Sequence, residues 1–211
     1  MSFPPDYVLD LVKEISEILI QRNETLSISE AACGGLLSAY LVSIPGASKF
    51  FQGGTLVYSL KSRLKLSGWD NKDISNYTGP SEQVVLRLAR NLRIELGSTY
   101  VLSETGFAGP SITIFDKDQE PSCNDESGEE IKDEQSPGKV GTVYLGISGP
   151  RGEVSCIRHT NNDNRAENMQ LFAQLGLRFL LDHMKQNQEE EEEEETKKEE
   201  SNGNGIKKQK I

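Results

Sequence analysis

The sequence predicts an α/β fold built on a mixed sheet. Amphipathic helical stretches alternate along the chain with short apolar stretches typical of strands, the pattern of α/β proteins. A glycine- and proline-rich turn at 149–152 joins two further strands, and such a hairpin adds antiparallel pairing. We expect one folded domain over residues 1–185, within the size range of single domains.

The helices are predicted from apolar stripes and from end signals. A stripe at three- to four-residue spacing predicts a helix over 6–22. A similar stripe, with Ser81 as N-cap and Gly97 as C-terminal glycine, predicts a helix that reaches about residue 96. Further helices are expected at 36–42, 61–66 and about 164–185.

The strands are predicted from β-branched and alternating patterns. They fall at 26–29, 55–59, 99–103, 140–147 and 154–159. The pair Gly53-Gly54 is expected to open the second strand, and the glycine-rich run 105–110 to form a loop after the third.

Charge is concentrated in two segments. The formal net charge is −10. Residues 116–139 hold nine acids and three bases, and residues 186–211 hold nine acids and five bases. We interpret the first as a disordered acidic insertion and the second as a disordered Glu-rich tail. The remaining chain is neutral, so nucleic acid is not expected as a partner.

Composition also excludes several other classes. Three cysteines without close spacing and two histidines argue against a disulfide framework and a zinc site, so no metal or cofactor is predicted. No apolar run reaches the ~18–20 residues of a membrane span, and no membrane partner is expected. The first residues carry acids and no unbroken apolar block, so we expect no signal peptide, and the cysteine pattern favours the cytoplasm. Five residues precede the first helix, so no earlier domain is expected.

The strand–loop–helix segment at 26–42 is the first candidate site. Backbone N–H groups at a glycine-containing helix start can bind an anion, which makes Glu30 and Gly34-Gly35 candidate binding residues. The glycines could equally serve only a sharp turn. Cys33 lies in the same segment, where a helix start can activate a thiol, although a small buried residue is the alternative.

Two further segments could contact a phosphate or a ribose. The run 105–110 supplies the candidate binding residues Thr105, Gly106, Ala108 and Gly109, although its spacing matches neither a P-loop nor a dinucleotide fingerprint. The Asn-rich run before the last helix ends at Arg165, which could bind a phosphate with two N–H groups. Capping of that helix is the alternative interpretation. No chemical role is expected for the histidines.

The chain also carries five short motifs in order: EAACGG at 30–35, VYS at 57–59, GFAGP at 106–110, VGTV at 140–143 and NR at 164–165. Together they resemble the C-terminal domain of the competence/damage-inducible protein CinA, a PncC-like family. The resemblance implies a three-layer α/β/α sandwich, a homo-oligomer, and deamidation of nicotinamide mononucleotide (NMN) to nicotinic acid mononucleotide. It therefore suggests a pyridine nucleotide or a related small molecule as ligand.

Two catalytic positions of that family are substituted. The resemblance places Ala31 at the serine nucleophile and Arg63 at a lysine that assists it, while Met169 stands at a second arginine. Alanine cannot form an acyl-enzyme, and arginine stays protonated and cannot act as a general base. The glycine-rich motifs, Tyr58 and Arg165 are retained.

Three hypotheses follow. The first is a nucleotide-binding protein without deamidase activity. The second is an amidase that uses Cys33 as its nucleophile, with Tyr58 as a further candidate catalytic residue and Ser29 as a weaker nucleophile. The third is an interaction module whose acidic tail binds a basic partner.

Overall fold

The computed structural model describes residues 3–112 and 138–205. Its centre is a five-stranded sheet in the order β2-β1-β3-β4-β5. Strand β1 pairs in parallel with β2 and β3, and the hairpin β4–β5 continues the sheet in antiparallel fashion. The strands are β1 (Leu26–Glu30), β2 (Phe51–Leu56), β3 (Tyr100–Phe107), β4 (Thr142–Gly149) and β5 (Gly152–His159). The prediction of a mixed sheet is confirmed.

Helices cover both faces of this sheet. Along the chain they are α1 (Asp6–Gln21), α2 (Leu36–Val42), α3 (Leu60–Leu66), α4 (Asn71–Ser75), α5 (Glu82–Leu96) and α6 (Arg165–Gly205). A single 3-10 turn, Ala47–Lys49, precedes β2. Helices α1, α2 and α6 pack together on one face, and α5 with α3 and α4 lies on the other. This arrangement is the expected three-layer α/β/α sandwich.

The main core lies between the sheet and the α1, α2 and α6 layer. Ile15 and Leu19 from α1 and Phe172 from α6 have no exposed surface, and they meet the apolar side chains of β1, β3 and β4. Burying a side chain of this size contributes roughly 1.5–3 kcal/mol. The apolar stripes in the sequence predicted these inward faces, because the helix residues that face the core are apolar and recur with the helical period.

The largest differences from the predicted strand bounds are in β2, which runs from Phe51 to Leu56 rather than over 55–59, and in β3. Strand β2 begins at Phe51 and contains both glycines that were expected to precede it. A Cβ at Gly54 would lie 2.6 Å from the carbonyl oxygen of Ile28, so close strand packing requires glycine there. Strand β3 likewise continues to Phe107, because Gly106 lets the carbonyl of Thr142 approach.

Helix α6 is longer than the sequence led us to expect. It continues through the run of glutamates to Gly205, where a disordered tail was predicted from residue 186. Glutamate, glutamine and lysine are good helix formers, and arginines pair with the glutamates: Arg22 with Glu191, and Arg151 with Glu190 and Glu194. These local terms outweigh the repulsion between like charges.

The acidic insertion, the short helix α4 and membrane spans complete the comparison with the sequence predictions. Most of the acidic insertion expected at 116–139, with Cys123, lies outside the described residues. Short helix α4 was not predicted, since its five residues carry no apolar stripe. Within 3–112 and 138–205, none of the helices has the length and apolarity of a membrane span.

Candidate functional site

A cavity of about 380 Å³ opens at the carboxyl ends of the parallel strands β1 and β3, where ligands of α/β sheets commonly bind. The residues after β1 and β3 form one side, and α3, the loop after α4 and the start of α6 form the other. The lining consists of Ala31, Ala32, Tyr58, Arg63, Tyr77, Gly79, Pro80, Thr105, Gly106, Phe107, Ala108, Gly109, Pro110, Ser111 and Arg165. Six predicted site residues therefore meet here: Tyr58, Thr105, Gly106, Ala108, Gly109 and Arg165.

Arg63 is the buried cation of this cavity and is only 3% exposed. Its Nε donates to the carbonyl of Val57 at 3.2 Å, and its Nη2 donates to the hydroxyl oxygen of Thr105 at 3.1 Å. The guanidinium also lies over the rings of Trp69 and Tyr77, at 5.4 and 4.9 Å from their centroids. Its Nη1 is buried and has no partner among the described residues.

Arg165 is the exposed cation at the edge of the same cavity. It begins α6, and its Nη1 donates to the carbonyl of Gly109 at 2.8 Å. Its Nη2 donates to the hydroxyl of Tyr58 at 2.7 Å, which joins the segment after β2 to the end of β3. The two arginines are the only charged residues of the described lining. The cavity is therefore electropositive and suited to an anionic ligand.

The loop after β3 is held in place by α6. Asn168 is fully buried, and its amide donates to the carbonyls of Ala108 and Asn162 at 2.9 and 2.7 Å. Gly109 has φ +92°, and a Cβ there would lie 2.6 Å from a methyl carbon of Val140. Both features fix the backbone of this loop at the cavity wall.

The β1–α2 joint (residues 30–38) is arranged differently from its predicted role. The carboxylate of Glu30 is buried and accepts from the backbone N–H groups of Gly35, Leu37 and Ser38 at 2.8–3.1 Å. It also accepts from the Ser38 hydroxyl. Glu30 therefore caps α2, and neither it nor Gly34 or Gly35 lines the cavity.

A second buried carboxylate, Glu104, serves the same joint. Its Oε1 accepts from the backbone N–H groups of Ala31 and Cys33, each at 2.7 Å, while its Oε2 has no described partner. Burial raises the pKa of Glu104 from 4.5 to about 7, against the lowering effect of those two N–H groups. Glu104 was not predicted as a site residue, although a charged residue directly after an apolar strand is a signal that could have identified it.

Cys33 lies in the core and away from the cavity. It has no exposed surface and packs in the main apolar cluster. Burial raises the pKa of its thiol well above the ordinary value, and the nearby Glu104 and Glu30 raise it further. The predicted activation of Cys33 by a helix start is thus opposed by its environment. Ala31, by contrast, belongs to the cavity lining.

The other positions discussed from sequence are structural. Met169 is half-buried in α6 and packs beside Gly34, outside the cavity lining. His159 pairs with the Thr142 hydroxyl, and His183 packs edge-on against Tyr100. Trp69 and Tyr77 were not predicted, because their contact with Arg63 is made only in the folded chain. No cluster suited to a metal ion occurs in the described ranges.

Comparison with known proteins connects this geometry to a family. The family model of the CinA C-terminal domain matches residues 9–118. A CinA-like protein of Nostoc sp. is 32% identical over 149 residues, covering 71% of this chain and 30% of that protein. A putative competence-damage inducible protein of Halothermothrix orenii is 29% identical over 175 residues, covering 83% and 37%. The chain thus spans about a third of the length of these curated relatives.

Solved structures agree on the fold. A competence-damaged protein (CinA) superfamily protein from Escherichia coli matches with a TM-score of 0.67 and 20% identity, covering 82% of this chain and 88% of that one. A competence/damage inducible protein from Agrobacterium tumefaciens matches with a TM-score of 0.68 and 20% identity, covering 86% and 98%. At this identity the likeness concerns the architecture.

Proposed function

The chain belongs to the CinA C-terminal domain family, and on that premise we propose that it binds a pyridine mononucleotide without hydrolysing the carboxamide. The main support for this proposal is that residue 31 is an alanine. It lines the cavity at the position where the resemblance places the serine nucleophile, and its methyl group cannot attack an amide.

The rest of the lining supports the absence of turnover. Hydroxyl groups are present, but the Thr105 oxygen faces Arg63, which stays protonated and cannot remove a proton. No His, Lys, Asp, Glu or Cys belongs to the described cavity lining. The described wall therefore has no side chain of these common general-base types, and position 31 has no hydroxyl to be activated.

The same wall supports binding of an anion. Arg63 and Arg165 give the cavity two positive charges, and a mononucleotide carries a phosphate that such charges attract.

The amidase that would use Cys33 gains no support, because that thiol lies in the core. Binding of a basic partner through the tail stays a prediction, as does the homo-oligomer, which light scattering during size-exclusion chromatography tests.

Titration calorimetry with NMN and an ammonia-release assay test the proposal together. We expect NMN to bind the wild type without ammonia release. Arg165→Ala should weaken binding at least about tenfold, since it removes a charged contact worth ~1.5–3 kcal/mol. Arg178→Ala, an exposed arginine on the same helix, is the control and should bind as the wild type does.

A restoring variant sharpens the test. Ala31→Ser combined with Arg63→Lys brings back the two groups that the resemblance assigns to catalysis, and ammonia release should then appear. Steady ammonia release by the wild type would refute the proposal, and so would a failure of NMN and nicotinic acid mononucleotide to bind.

A further inference from the structure

We infer that Arg63 and Thr105 bind a carboxylate, so that the cavity selects the acid form of its ligand over the carboxamide. This inference rests on the proposed function, because it specifies the ligand of the same cavity. For pyridine mononucleotides it means a preference for nicotinic acid mononucleotide over NMN.

The first observation is an unused donor on a buried cation. Arg63 is 3% exposed, and two of its nitrogens already donate to Val57 and Thr105, which fixes the guanidinium in place. Its Nη1 remains buried and unpartnered among the described residues, although the arginine lines the cavity. Leaving such a group unsatisfied costs ~1–3 kcal/mol, so a ligand atom that accepts from it gains affinity.

The second observation is a hydroxyl beside that donor. The Thr105 oxygen accepts from Arg63 Nη2, and no described neighbour takes the hydrogen of the same hydroxyl. A hydroxyl donates once and accepts twice, so Thr105 offers one O–H donor to the cavity. Arg63 and Thr105 both line the cavity and are hydrogen-bonded to each other, so the two donors belong to adjoining groups, one of them positively charged. A carboxylate presents two acceptor oxygens to such a pair, whereas a carboxamide presents one.

Charge and depth separate the carboxylate from the phosphate. No acid belongs to the described cavity lining, so the charge of Arg63 has no partner there. Arg63 is buried, whereas Arg165 is exposed at the edge. Burying a charge costs more as the charge grows, which favours the singly charged, planar carboxylate at Arg63 and the phosphate at Arg165.

Calorimetry on the wild type with the two mononucleotides is the test. We expect nicotinic acid mononucleotide to bind at least about tenfold more tightly than NMN. Arg63→Gln and Thr105→Val should each bring the two affinities closer together, mainly by weakening the acid. Arg87→Lys is the matched control, since Arg87 lies over the same Trp69 ring but outside the cavity lining.

Each outcome has a distinct meaning. Measurable but equal affinities of the wild type would overturn this inference and leave the proposed function standing. If Arg63→Gln weakened both ligands equally, Arg63 would hold the phosphate, and the inference would also fail. Binding of neither ligand would remove the proposed function and this inference together. The wild-type comparison does not depend on whether a variant folds.

Discussion

The β1–α2 joint and the cavity are both built where a strand ends near a glycine, yet they treat their hydrogen-bond donors in opposite ways. In the joint, Glu30 and Glu104 accept from five backbone N–H groups. In the cavity, Arg63 and Thr105 keep donors that no described residue uses. The N–H groups at a glycine-containing helix start are thus available to an external anion only if no carboxylate of the protein already accepts from them.

The largest effect is expected from removing the Glu30 carboxylate, which the joint supplies to its own N–H groups. Glu30→Ala leaves the N–H groups of Gly35, Leu37 and Ser38 without acceptors, and we expect a loss of about 3–5 kcal/mol in the free energy of unfolding. Urea denaturation measures it. Glu17→Ala, at an exposed site on α1, should change stability by less than about 0.5 kcal/mol. A similarly small loss for Glu30→Ala would mean that the joint does not depend on its carboxylate.

The second carboxylate, Glu104, gives the joint a pH dependence. Because burial raises the pKa of Glu104 from 4.5 to about 7, the folded state holds a proton that the unfolded state has lost between those values. Its contribution to stability is complete at low pH and disappears as the pH rises through about 7.

Comparison with Glu104→Gln isolates this effect. As the pH rises from about 5 to about 8, the wild type should lose up to about 3 kcal/mol of unfolding free energy relative to Glu104→Gln. Denaturation at several pH values measures the difference, and Glu17→Gln is the control. A difference that is constant with pH would show that Glu104 is already ionised in the folded protein.

Two glycine substitutions, one in the joint and one at the cavity, have the smallest expected effects. Gly35 has φ +101°, and a Cβ added there would meet no atom within 4 Å. Gly35→Ala should therefore cost about 1–2 kcal/mol of stability and leave ligand affinity unchanged. Gly109 lines the cavity and its Cβ would contact Val140, so Gly109→Ala should also weaken ligand binding. Calorimetry measures the ligand affinity of both variants, and denaturation measures their stability. Weaker binding by Gly35→Ala would place the joint in the ligand site.

Local signals predicted most of the helices. Ser81 accepts from the N–H of Val84, and Gly97 has φ +64° at the end of α5, as their residue types suggested. These features depend only on neighbours in sequence. The bounds of β2 and β3 depend instead on how closely another strand approaches Gly54 and Gly106, which a single segment does not encode.

The candidate site was predicted only in outline. Arg165, Tyr58 and the loop after β3 lie together at the cavity, which opens at the carboxyl ends of the parallel strands. The roles of Glu30 and Arg63 could not be predicted, since they depend on where each side chain points after folding. Arg63 drew attention only as a substituted lysine, yet it is the buried cation around which the cavity is built.

Helix α6 connects the edge of the cavity to a distant part of the fold. Its first residue, Arg165, contacts Gly109 and Tyr58 at the cavity edge, and the helix continues for 41 residues. At about 1.5 Å per residue its length is about 60 Å. Further along, its glutamates pair with Arg22 at the end of α1 and with Arg151 in the β4–β5 turn, so a single helix links the edge of the cavity to that turn.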